Sequence, residues 1–239
     1  MLRSFCGSAV LMVAAALSCA TSAQANNAPD IPEPMVFDMV RALGAEQGEL
    51  EINTLAQMSP WDSGRVEWAP EIEYALFDRF AVELELPFEN TRLSELKFGL
   101  QGTFGTFNNG QAIHGVQYLG IHDRHDGSYT STLVYILGQR LGARLSSVTM
   151  VGIGGVDLGS RKGHNAMIVN HSVFADLSDR STAGVEVNFE GGRQGGLLLM
   201  PQMHHTLAPG TQLQAGFGVE KNRGASTTPR FGVRLIREL

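Results

Sequence analysis

Residues 65–105 read RVEWAPEIEYALFDRFAVELELPFENTRLSELKFGLQGTFG, and the period of this stretch decides the fold. Val66, Trp68, Ile72, Tyr74 and Leu76 fall on one side of an extended chain, opposite Arg65, Glu67, Glu71 and Glu73. Asp78-Arg79 is a tight connection. Phe80, Val82, Leu84, Leu86 and Phe88 then oppose Glu83 and Glu85, and Leu96, Phe98, Leu100 and Phe104 oppose Lys97, Gln101 and Thr103. Successive side chains of a strand point to opposite faces, so each segment carries one oily face and one polar face.

The same period runs outward from this stretch. Residues 49–58 precede it as a strand. Further strands are expected at 112–122, 129–139, 142–154, 166–176, 183–190, 197–206, 211–220 and 229–238, about twelve in all. Turn residues separate them, among them Asn108-Asn109-Gly110, Asp126-Gly127 and Ala208-Pro209-Gly210. Outside the first 25 residues no apolar run is long enough for a spanning helix. The 239-residue chain has a mean hydropathy of −0.03, which excludes a polytopic helical membrane protein and a disordered chain. Its net charge of −6 offers no basic excess for nucleic acid, and two cysteines are too few for a disulfide scaffold.

Residues 1–25 read as a cleaved signal peptide: Arg3, an apolar core over residues 8–20, then the small residues of Ala23-Gln24-Ala25. Cleavage after Ala25 would remove Cys6 and Cys19, leaving a mature chain without cysteine. Residues 26–46 are expected to form a Pro-rich linker and a short amphipathic helix. Met35, Val36, Met39, Val40 and Leu43 recur at helical spacing, and Gly44 fits a helix stop. This helix reads as a cap at the periplasmic mouth in preference to a plug inside a pore. Residues 47–239 form a single β-domain.

Alternation alone does not separate a soluble sandwich from a membrane barrel, which turns its oily face outward. Strand length favours the barrel, because many segments reach the ~9–11 residues that a tilted crossing requires. Charge placement agrees. Residues 46–95 hold twelve acidic side chains against three basic ones, while Arg230 and Arg234 lie near the other end of the chain. Closing the sheet would bring Arg230 and Arg234 near Glu49 and Glu51 and relieve the repulsion among the acids. Trp61, Trp68, Tyr74, Phe77, Phe80 and Phe88 sit near strand ends, as an interfacial girdle requires. The expected fold is an all-β, antiparallel up-and-down transmembrane barrel of about 10–12 strands with a short N-terminal helix.

Residues 65–105, with the step Leu86-Pro87-Phe88, resemble the outer-membrane transporter barrels grouped with the meta-pathway of phenol degradation. The resemblance covers mainly the first half of the mature chain. It implies an outer-membrane location and a transport role, and it brings no catalytic residues. Such barrels usually end in an aromatic residue. Here Phe231, Val233 and Leu235 are in phase, but Arg237 interrupts the pattern before Leu239.

Candidate chemistry is sparse. Asn170-His171-Ser172 places His and Ser on adjacent strand positions, which face opposite ways and so make no dyad. His122, Asp123, His125 and Asp126 read as a solvated turn, and only one of His204 and His205 can face inward. No enzyme activity, cofactor or metal site is expected. The inward charged set is Glu49, Glu51, Glu67, Glu71, Glu73, Glu83, Glu85, Arg230 and Arg234, either lining a pore or forming an ion-pair network that fills a narrow barrel. The expected function is a passive channel or transporter for small molecules. The alternatives are a structural or sensory envelope barrel and, further off, a lipid-active enzyme or soluble periplasmic β-protein. Outer-membrane lipid, a small solute and the barrel-assembly machinery are the expected partners.

Overall fold

The computed structural model describes residues 28–37, 39–61, 64–157, 165–192 and 195–239. The signal peptide expected over residues 1–25 lies outside them. Fourteen strands follow in order: β1 (Leu50–Met58), β2 (Val66–Phe77), β3 (Phe80–Glu85), β4 (Phe88–Glu89), β5 (Arg92–Leu93), β6 (Glu95–Phe107), β7 (Ala112–Asp123), β8 (Tyr129–Arg140), β9 (Leu145–Asp157), β10 (Ala166–Ser178), β11 (Ser181–Glu190), β12 (Gly196–Ala208), β13 (Thr211–Asn222) and β14 (Thr227–Glu238). β4 and β5 are two-residue pieces that prolong β3 and β6 beyond the break at Leu86-Pro87.

The remaining strands form a closed antiparallel barrel of twelve staves. The last stave closes on the first, pairing Glu51 with Glu238 through to Met58 with Phe231. Every stave pairs on both edges, so the ring has no open edge, and this satisfies its backbone in hydrocarbon. Among the described residues no helix is long and apolar enough to cross a membrane.

The two faces sort as the alternation requires. On β2, Glu71, Glu73 and Ala75 are buried while Ile72, Tyr74 and Leu76 are exposed. On β3, Glu83 is 3 % exposed and its neighbour Leu84 47 %. The outer surface therefore carries the apolar residues, among them Phe98, Leu133, Val151, Leu199, Phe217 and Val233. Aromatic residues gather near its ends. Trp68 stacks on Phe88 at 4.6 Å, Phe77 and Phe80 meet at the β2–β3 turn, and Trp61 stands exposed after β1. One end of the barrel has short turns, at 77–80, 107–112 and 208–211; the other has longer connections, such as 58–66 and 157–166. The chain enters β1 and leaves β14 at the short-turn end.

The N-terminal segment departs from its expectation in two ways. The described residues of 35–43 are bends and turns rather than helix, with Asp38 outside the described set. They also lie inside the barrel instead of capping its mouth, with Met35, Met39, Val40 and Arg41 all buried. The apolar spacing that mimics a helix serves a chain touching several walls at once, and its backbone hydrogen bonds go to wall side chains instead of to itself.

Candidate functional site

The described residues of 28–47 form a tongue. Near its start, Asp30 accepts a hydrogen bond through its carbonyl from Arg140, at the short-turn end of β8. Mid-barrel, the backbone N–H groups of Met35, Val36 and Phe37 all donate to the Glu186 carboxylate on β11, at 2.9, 3.0 and 2.7 Å. Arg234 on β14 donates to the Pro34 carbonyl at 3.3 Å, and the Val40 N–H donates to Gln117 on β7 at 3.0 Å. The tongue then returns. Gly44 donates to Thr103 at 3.0 Å, Gln47 donates to Asp78 at 2.9 Å, and the Ala45 carbonyl accepts from Arg79 at 2.7 Å, all at the short-turn end.

Small wall residues make room for it. A Cβ on Gly99 would lie 2.5 Å from Val40, one on Gly115 2.8 Å from Leu43, and one on Gly138 2.9 Å from Ile31. Met35 fills the space left by Gly216 and Gly232, where a Cβ would come within 2.7 and 2.8 Å of its terminal methyl group. These glycines are sockets for tongue side chains.

Charge concentrates on one side of the interior. Arg234, fully buried, donates to Glu71 at 2.8 Å and to Asn53 at 3.1 Å, and lies 3.6 Å from Glu73. Arg230 bridges Glu67 at 2.8 Å and Glu220 at 3.0 Å. Barrel closure thus brings the C-terminal arginines to the acids, but to Glu67, Glu71 and Glu73 in place of Glu49 and Glu51. Those two carboxylates pair with Arg41 of the tongue, Glu51 deeply and Glu49 half-exposed. Burial alone would pull the Arg41 pKa down; the surrounding carboxylates, Glu51 foremost, outweigh it and hold the guanidinium above its ordinary value. Glu85 accepts from Lys97 at 3.1 Å, and the carboxylates of Glu71, Glu83 and Glu85 approach within 4.8 Å of one another.

The opposite side is apolar. Val134, Ile136, Val148, Met150, Ile168 and Phe174, from β8 to β10, form a buried cluster with Met39; Ile31, Phe37 and Leu43 pack against it. Two cavities flank the tongue. One, of about 390 Å³ towards the long-loop end, is lined by Val36, Phe37, Glu71, Glu83, Glu85 and Lys97. The other, of about 250 Å³ towards the short-turn end, is lined by Ile31, Met39, Leu43, Glu46 and Glu49.

The remaining sequence candidates assemble no catalytic group. Asn170 and Ser172 are buried inside, whereas His171 is outside and bonds Thr149 at 2.9 Å. Asp123 accepts from the N–H groups of His125 and Asp126, a self-contained turn. His204 faces inward to Gln202 at 2.9 Å, and His205 outward to Ser181 at 2.9 Å.

The chain belongs to the HAEPLYID-like family, whose model matches residues 30–223 and so takes in nearly all of the tongue and every stave but the last. Among solved structures it is similar to the NanC porin, with a TM-score of 0.63 and 8 % identity over 80 % of this chain and all of that one. The KdgM porin gives a TM-score of 0.61 at 8 % identity, covering 79 % of this chain and 99 % of that one; it is also known in complex with disordered oligogalacturonate. An outer membrane channel from Pseudomonas putida F1 gives 0.60 at 12 % identity, with 83 % and 98 % covered. No curated protein matches the chain in sequence. At these identities the likeness is one of fold.

Proposed function

We propose that the chain is a passive channel of the outer membrane for small solutes, with an acid-rich interior that favours cations over anions. One observation carries the reading: the space inside the staves is taken up by a separate segment of chain, whose side chains seat against wall glycines. Eight-stranded barrels are narrow enough to fill with their own wall side chains, whereas wider ones leave a lumen that is open or plugged by a separate piece of chain. The apolar belt with aromatic ends supports residence in a bilayer, with outer-membrane lipid and the assembly machinery as partners. The shared fold with porins and an outer membrane channel, and the resemblance of residues 65–105 to transporter barrels, support transport over enzymatic chemistry. Glu49, Glu51, Glu67, Glu71, Glu73, Glu83 and Glu85 would set the selectivity together with Arg230 and Arg234. Oligogalacturonate is a polyanion, so the proposed preference differs from the ligand named for the KdgM porin.

The apolar cluster between Met39 and β8–β10 favours a second reading, a closed structural barrel without transport. Planar bilayers separate the two. Purified, folded protein should give discrete conductance steps with a cation-selective reversal potential, and E83Q/E85Q should lower that selectivity. Anion selectivity of the unmodified chain, or no effect of E83Q/E85Q on a conducting channel, would overturn the acid-lined reading.

A further inference from the structure

We propose that residues 28–47 are a retractable gate, closed in the resting barrel and withdrawn towards the short-turn end to open it. The inference rests on the channel reading and adds the element that controls it. Three observations converge on it.

The first is topology. Both limbs of the tongue are tied at the same end of the barrel, through Asp30 to Arg140 on one limb and through Ala45 and Gln47 to Arg79 and Asp78 on the other. Its bend reaches mid-barrel, where Glu186 gathers three consecutive N–H groups. A hairpin held this way can slide out without threading past the wall.

The second is the chemistry of its anchors. Among the described residues no strand pairs with the tongue as a ladder; wall side chains bond its backbone at Pro34, residues 35–37, Val40, Arg41 and Gly44. Water or a hydrated solute can replace such bonds one at a time, whereas a strand added to a sheet comes away cooperatively. The interior that the tongue would vacate on the acid side is already polar. On the other side withdrawal uncovers Val134, Ile136, Val148 and Met150, which makes the closed state the favoured one.

The third is the position of the cavities. They lie towards opposite ends, with the tongue between them as the partition.

The test locks the tongue. In V40C/G99C the new thiols sit where Val40 Cγ2 now stands 2.5 Å from an added Cβ, and the sequence's own cysteines, Cys6 and Cys19, both fall in the leader stretch. The oxidised pair should abolish conductance and reductant should restore it. E186Q, which removes the carboxylate holding residues 35–37, should raise the open fraction by about tenfold. E186Q/V40D, which adds an acid beside Glu83, should raise it further. Equal current from oxidised and reduced V40C/G99C would overturn the gate and leave the channel reading standing. No current from any of these variants, each shown to be folded by heat-modifiable gel mobility, would overturn the channel reading and the gate with it.

Discussion

The two sides of the barrel interior hold the same tongue by different forces. On β1–β3 and β14 the wall offers Glu51, Glu71, Glu73 and Arg234, and the tongue answers with Arg41 and the Pro34 carbonyl. On β8–β10 the wall offers Val134, Ile136, Met150 and Phe174, and the tongue answers with Met39, Phe37 and Leu43. Charge pairing is directional and depends on each partner, because a buried ion left alone keeps its desolvation penalty. Apolar packing is non-directional and graded in area. The acid wall therefore fixes the position of the tongue, while the apolar wall supplies most of its adhesion.

The sharpest way to break the acid wall is through Arg234. It touches β1 through Asn53, β2 through Glu71 and Glu73, and the tongue through Pro34. Arg234→Met should leave buried carboxylates uncompensated and lower barrel stability by about 3–5 kcal/mol. The check is the urea midpoint of the folded-to-unfolded transition in lipid vesicles. Adding Glu71→Leu should recover part of the loss, since removing both members of a buried pair is milder than removing one. A single variant as stable as the parent would show that the acid wall does not depend on its arginine.

The contrast between the walls explains what the sequence disclosed. Period-two alternation with acids on one phase runs through residues 65–105, so the strand positions and the split into an oily and a charged face are legible there, while closure is legible only with the C-terminal arginines. The stretch 132–138, TLVYILG, is apolar on both phases: Leu133 and Tyr135 face out while Val134 and Ile136 face in. An inner face that oily must be covered, and this was the available signal for a filled interior. It was obscured because a two-sided apolar strand also looks like an ordinary buried one. Glu186 is a second signal, an acid set between Val185 and Val187 in the middle of β11 on its inner phase. The tongue itself was not legible as such. Apolar residues spaced to meet several walls at once coincide with helical spacing, and only the wall tells them apart. Arg41 is hidden for the same reason, since Arg230 and Arg234 stand in the sequence as equally good partners for Glu49 and Glu51.

Apolar adhesion is tested through Met39, which is 3 % exposed at the centre of the cluster. Met39→Ala should loosen the tongue by about 2–3 kcal/mol while the staves, which pair with one another, keep their stability. Amide hydrogen exchange followed by mass spectrometry separates the two. Peptides covering residues 35–45 should exchange about 30–150 times faster, with those from β8–β10 unchanged. Equal acceleration in tongue and strands would mean that they form one cooperative unit, and the distinction between anchor and adhesive would fail.

The smallest effect is expected within the acid wall itself. Arg41 bonds two carboxylates that differ in burial: the Glu49 side chain is 39 % exposed and that of Glu51 3 %. Solvent screens the first pair, so Glu49→Ala should change tongue exchange by less than about 1 kcal/mol, and the effect should fade as salt is raised. Glu51→Ala strips the buried partner instead, leaves Arg41 hydrogen-bonded to the half-exposed Glu49, and should accelerate exchange at residues 40–44 well beyond what salt can mimic. Identical responses to the two substitutions would mean that burial does not grade charge pairing inside this barrel, and the directional role assigned to the acid wall would have to move to Glu186.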